Sequence, residues 1–155
     1  MNELLGPTIK LKDFKQQMTQ RKKKYIEKTI EGKNKQILEQ KSKLEEDDGW
    51  QILRRNKNSY RLKKEKPISE YLEDKIWVIL SKMGFTEMSL GRNFTISVGD
   101  KLNQRQIDVF AKDSETAIFI ECTTSEKPIK KDLSPLIQKI QSIMPNIYKS
   151  LREHY

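Results

Sequence analysis

Cysteine and histidine are almost absent from this chain: Cys122 and His154 are the single examples among 155 residues. One cysteine leaves no disulfide framework. One of each leaves almost no room for a structural zinc site or a histidine-based triad. Long apolar runs are also missing, and none approaches the roughly 20 residues a membrane span needs. The opening stretch, MNELLGPTIKLKDF, lacks the apolar centre of a signal peptide. A cytoplasmic location is the expectation.

Hydrophobic residues make up 35% of the chain and charged residues 34%. That balance is too polar for one tight globule of the whole length, so one compact domain with an extended appendage is expected. The charge is unevenly placed. Residues 1–66 hold 19 Lys and Arg against 10 Asp and Glu, whereas residues 67–155 hold 12 of each, so the net +9 lies entirely in the first part. Such an asymmetry predicts a basic arm, residues 1–48, ahead of a neutral domain, residues 49–155. Nucleic acid is the usual partner of such an arm. A solvated, salt-laced helix accounts for the same composition.

From Leu11 to about Leu44 the composition is helical and free of proline. Leu11, Met18 and Tyr25 are spaced by seven, as are Ile30, Ile37 and Leu44, with Gly32 between the sets. This reads as two helical segments or one kinked helix, able to pack on a neighbour or on a second copy as a homodimer. Trp50 and Ile52, then Tyr60 and Leu62, alternate with polar residues about Asn56–Ser59. That predicts a hairpin over residues 49–66 with these four on one face. Arg54, Arg55, Lys57, Arg61, Lys63 and Lys64 make it a basic ribbon, a candidate nucleic-acid surface. Aromatics that simply pack on the domain would leave the same cations exposed.

Past Pro67, Ser69 is a candidate N-cap, and Ile68, Leu72, Ile76, Ile79, Leu80 and Met83 form one helical face. Glu73 falls on its edge and Asp74 elsewhere; Gly84 ends the helix. Asn93 to Val98 reads as a strand, and residues 99–104 as a connection. Residues 105–127 then read as two strands about a Lys112–Glu115 turn, the first with Ile107, Val109 and Phe110, the second running from Thr116 to Cys122. Each carries one acid, Asp108 and Glu121, where an apolar residue is expected. Two carboxylates in an apolar sheet are costly unless compensated, and a divalent cation compensates them economically. Solvated acids at a turn and a strand end would fit the same spacing. Gln106 shares a strand face with Asp108. Lys130 to Met144 is amphipathic and predicts a following helix.

The order helix, three strands, helix, with Asp108, Glu121 and Met83-Gly84-Phe85, resembles the PD-(D/E)XK (restriction-endonuclease-like) nuclease superfamily. The resemblance implies an α/β (α+β) fold, with a mixed β-sheet flanked by helices and preceded by the long basic helical arm and the hairpin. It implies that Asp108 and Glu121 ligate Mg2+ (or Mn2+), with the Cys122 carbonyl as third ligand and Glu73 supporting the site. The activity implied is metal-dependent phosphodiester hydrolysis of DNA. Where the family carries lysine two residues after the second acid, this chain has Thr123. Lys127 is a candidate replacement cation, Lys130 or Lys131 on the next helix are the other candidates, and the latter two are also candidate DNA contacts. A catalytically inactive nuclease-fold module that binds DNA or mediates assembly is the alternative. Gly49-Trp50, Leu72-Glu73-Asp74, Trp77, Gln106-Ile107-Asp108-Val109 and Ile120-Glu121-Cys122 are also similar to the N-terminal region of DGQHR-domain proteins. Those are related to DNA phosphorothioate modification. This second resemblance implies further domains of a longer chain and a role in defence or DNA modification.

Overall fold

A computed structural model describes residues 6–98 and 100–124, the side chains of 97–105 excepted, and single positions between Ser134 and Arg152. The architecture is α+β with several antiparallel sheets. In chain order the elements are β1 (Thr8–Lys10), a 3-10 turn (Leu11–Asp13), α1 (Phe14–Lys22), β2 (Tyr25–Glu31), α2 (Lys35–Asp47), β3 (Gln51–Arg55) and β4 (Ser59–Glu65). These are followed by α3 (Ile68–Lys82), β5 (Glu87–Ser89), β6 (Phe94–Val98), β7 (Asp100–Ile107), β8 (Val109–Lys112) and β9 (Ala117–Ile120). The chain divides into two compact units, residues 1–22 with 72–155, and residues 23–71. This division differs from an arm ending at residue 48.

The stretch expected as two helical segments or one kinked helix holds two helices, α1 and α2, with a strand between them. Residues 25–31 form a strand, paired antiparallel with β4 from Tyr25↔Glu65 to Glu31↔Ser59. Ile26, Lys28 and Ile30 alternate with Glu27 and Thr29, a period of two. A full ladder of cross-strand pairs overrides the helical propensity of the flanking lysines and glutamates. The seven-residue stripe is not a buried seam, since Leu11 is 54% and Leu44 71% exposed. Helix α2 begins where the Asn34 side chain accepts the Ile37 N–H at 3.0 Å. It ends in a Schellman turn: Gly49 N–H donates to Glu46 O and Trp50 N–H to Glu45 O, with Gly49 at φ +83°. The expected hairpin forms as β3 and β4, turning through Asn56 N–H to Ser59 O. Leu38 of α2 packs with Tyr60 and Leu62, flanked by Ile30, Trp50 and Ile52.

In the other unit, β1, β5, β8 and β9 form one antiparallel sheet, in that order. Strands β6 and β7 form a separate hairpin. Residues 100–104, expected as a connection, belong to β7. Every pairing among the described strands is antiparallel, so the mixed sheet is not present there. One core joins Phe14, Trp77, Leu80, Phe85, Met88 and Val109. A second joins Phe94, Ile96, Ile107 and Phe110, with the Phe94 and Phe110 rings stacked at 4.8 Å.

Helix α3 is rotated relative to its expected apolar face. Trp77, Leu80, Ser81 and Asp74 are buried, while Ile68, Ile79 and Met83 are exposed. The indole decides the rotation, because Trp77 is the largest side chain and its Nε1–H finds the Ser89 carbonyl at 2.9 Å. Ser69 lies inside the helix and does not cap it; Tyr71 N–H already bonds Pro67 O. Gly84, at φ +102°, ends the element as expected. No helix among the described residues is long and apolar enough to cross a membrane.

Candidate functional site

The acids singled out in the sequence arrive from three elements of one unit. Glu73 and Asp74 come from α3. Asp108 sits at the bend between β7 and β8, which interrupts what would otherwise be one strand. Glu121 and Cys122 follow the end of β9. The turn joining β8 to β9 is set by Asp113, whose Oδ1 accepts the N–H groups of Glu115 and Thr116 at 2.8 Å each. This Asx-type turn fixes the hairpin register, pairing Val109 with Ile120. Asp108 and Glu121 are therefore brought to the same end of the hairpin. There Asp108 Oδ2 accepts the Cys122 N–H at 2.6 Å, a short charge-assisted bond.

Electrostatics ties the three acids together. Burial raises the Glu73 carboxyl above its ordinary range, and the charge of Asp108 raises it further, against the pull of Arg92. Burial pushes the Cys122 thiol up to about 11, helped by Asp108, Glu73 and Glu121 in turn. Three carboxylates thus act on one half-buried sulfur, and the thiol stays protonated near neutral pH.

Beside this acidic group lies an ion-pair chain that the sequence reading missed. Asp74, expected to point elsewhere, is fully buried. Its Oδ1 meets Arg21 Nη1 at 2.8 Å and its Oδ2 meets Arg92 Nη2 at 2.6 Å. Arg92 also reaches Glu73 at 3.4 Å, and its carbonyl accepts the Gln106 side-chain amide at 3.1 Å. Arg21 stacks over Trp77, 4.8 Å from the ring centroid. Burial lowers the Arg21 pKa, and Asp74 opposes that shift. The available signal was an arginine isolated in the Gly91-Arg92-Asn93 turn and an acid three residues before a tryptophan.

The donor set consists of hard oxygens, the type that Mg2+ and Mn2+ prefer. No group of three or more His, Cys, Asp or Glu side chains among the described residues is arranged to hold a metal. Two carboxylates, Asp108 and Glu121, fit the sparse protein ligation of Mg2+, which leaves positions to water and phosphate. Thr123 is exposed and brings no charge. Lys127, Lys130 and Lys131 lie outside the described residues.

The basic ribbon belongs to the other unit and is split between two faces. Arg54, Arg61 and Lys63 share one face of the sheet by register. Arg55 lies on the α2 side, over Tyr60 and 3.7 Å from Glu39. Lys64 pairs with Ile26 on that same side, and Lys57 sits in the turn. No protein-family model, curated protein or solved structure matches this chain.

Proposed function

We propose that this chain is a nuclease-like domain that acts on DNA by metal-dependent phosphodiester hydrolysis. The observation that carries the reading is that Asp108 and Glu121 stand at the same end of the β8–β9 hairpin, where Asp108 Oδ2 accepts the Cys122 N–H at 2.6 Å. The restriction-endonuclease-like core and the relation to DGQHR-type proteins belong to the same proposal. Asp108 and Glu121 are the residues that would hold Mg2+ or Mn2+; such an ion, when bound, neutralises phosphate charge and makes water more acidic. The Cys122 carbonyl is the third donor in this reading. Cys122 N–H orients Asp108. Glu73, with its raised pKa, holds a proton more readily than an ordinary carboxylate and serves as the proton acceptor. Arg92 fixes Glu73 and Asp74, and supplies positive charge where Thr123 supplies none.

Thr123 favours a second reading, a nuclease-fold module that binds DNA or mediates assembly without cutting. Loss of a positioned electrostatic group costs on the order of 10²–10⁴ in rate. The deciding experiment is cleavage of plasmid and linear DNA with Mg2+ and Mn2+, wild type against Asp108→Ala and Glu121→Ala. Cleavage that disappears in both variants supports hydrolysis. A wild type that retards DNA in a gel and never cuts supports the binding module.

A further inference from the structure

The sheet of the 23–71 unit has two unlike faces. Helix α2 closes one of them with Leu38 against Tyr60 and Leu62. On the other, directly opposed residues share a side: Arg54 faces Arg61, Thr29 also faces Arg61, and Lys63 is flanked by Glu27 and Gln51. We propose that this second face is a binding surface for the sugar-phosphate backbone of nucleic acid, centred on Arg54, Arg61 and Lys63.

Placing Arg54 directly across from Arg61 costs stability, because like charges opposite each other repel. An anionic ligand removes that cost. Glu27 is engaged by Lys23 at 2.8 Å and by Arg61 at 2.6 Å, so it fixes the guanidinium of Arg61 while leaving the other donors of the fork for a ligand. Among the described residues Arg54 makes no ion pair. The ammonium groups of Lys23 and Lys63 are 5.8 and 5.9 Å from the ring centroid of Tyr25, which offers a flat surface beside the cations. Arg61 and Lys63 stand two residues apart, about 7 Å along the strand, on the scale of successive phosphates. The residues flanking these cations on the neighbouring strands are Glu27, Thr29 and Gln51. These polar groups suit a hydrogen-bonding backbone and not an acyl layer, which calls for apolar neighbours. The surface belongs to the 23–71 unit, uses none of the acidic residues and needs no metal.

The test is fluorescence anisotropy of the full chain with a short labelled DNA duplex, in EDTA, across a salt series. EDTA prevents cleavage, so a failure of hydrolysis leaves this result untouched. The triple variant Arg54→Ala, Arg61→Ala, Lys63→Ala is expected to bind at least tenfold more weakly and to flatten the slope of log K against log salt by about 2.7, near 0.9 per phosphate contact. Arg54→Ala alone disturbs no ion pair and is expected to flatten it by about 0.9. The charge-matched variant Lys33→Ala, Lys35→Ala, Lys43→Ala, at exposed positions in and before α2, is expected to keep the wild-type slope. Single-stranded DNA and RNA of the same sequence identify which backbone fits best, and tight binding to any of them supports the proposal. Equal losses in the two triple variants, no binding to any nucleic acid, or a preference for phosphatidylserine vesicles would overturn it.

Discussion

Arg21 and Asp74, 53 positions apart in sequence, form an ion pair at 2.8 Å with side chains only 7% and 1% exposed. The pair ties α1 to the helix that supplies Glu73. Breaking a buried pair by removing one partner leaves the other charge uncompensated, at a cost of about 3–5 kcal/mol. Asp74→Ala takes this carboxylate from the buried Arg21, while Arg92 keeps Glu73. Urea unfolding should show a lower midpoint with an unchanged m-value, equivalent to roughly 3–5 kcal/mol. A loss below about 1 kcal/mol, the size expected of an exposed pair, would mean that water reaches this site freely.

Asp108 accepts one hydrogen bond in the structure and, in the proposed function, also ligates the metal. Its Oδ2 accepts the Cys122 N–H, and an asparagine amide oxygen can accept the same bond. Asp108→Asn should therefore fold, losing about 1 kcal/mol as a charge-assisted bond becomes an ordinary one. Affinity for Mn2+ should fall at least tenfold, since a carboxylate ligand is lost. Titration calorimetry with Mn2+ checks both wild type and variant. Equal affinities would take Asp108 out of the metal site.

Part of this arrangement was legible in the sequence. Trp50, Ile52, Tyr60 and Leu62 fall on one face of a real hairpin, because strict alternation is a local signal. Gly84 ends α3 and the Asp113 turn separates β8 from β9, because turn residues carry their own backbone preferences. The strand at residues 25–31 was hidden because its identity depends on β4, whose paired residues lie 28 to 40 positions further on. The rotation of α3 was hidden for a similar reason. Hydrophobic periodicity placed Ile68 and Met83 inward, but the buried Trp77 and the Arg21–Asp74 pair fix the face instead. Arg92 gave no periodic signal at all, since its role comes from partners on another element.

Glu73 titrates under opposing influences. Burial and Asp108 raise its pKa, and Arg92 lowers it. Arg92→Ala should raise it further, and Asp108→Asn should bring it back toward the ordinary value. Between the unfolded and the raised folded pKa, the unfolded chain has released the proton that the folded chain keeps. Stability attributable to Glu73 therefore falls as pH rises through that window, and is fully present below the unfolded value. NMR titration of the Glu73 side-chain carboxyl carbon reads the pKa directly. An unchanged value in Arg92→Ala would show that Arg92 does not act on this carboxylate.

Cys122 reports the local charge of the whole site. Its thiol is pushed up to about 11, first by burial and then by Asp108, Glu73 and Glu121. The thiolate is the reactive form, so alkylation by iodoacetamide should be slow at pH 8 and should rise toward an inflection near pH 11. Removing a neighbouring negative charge favours the thiolate. Glu73→Gln and Asp108→Asn should each move the inflection to lower pH and speed alkylation at pH 8, while burial keeps it above the free-cysteine value of about 8.5. If Asp108 and Glu121 hold Mg2+ as proposed, the ion should act in the same direction in the wild type, with the effect saturating as it binds. That saturation should vanish in Asp108→Asn. A rate profile with its inflection near 8.5 in the wild type would mean that neither burial nor the three carboxylates govern this sulfur.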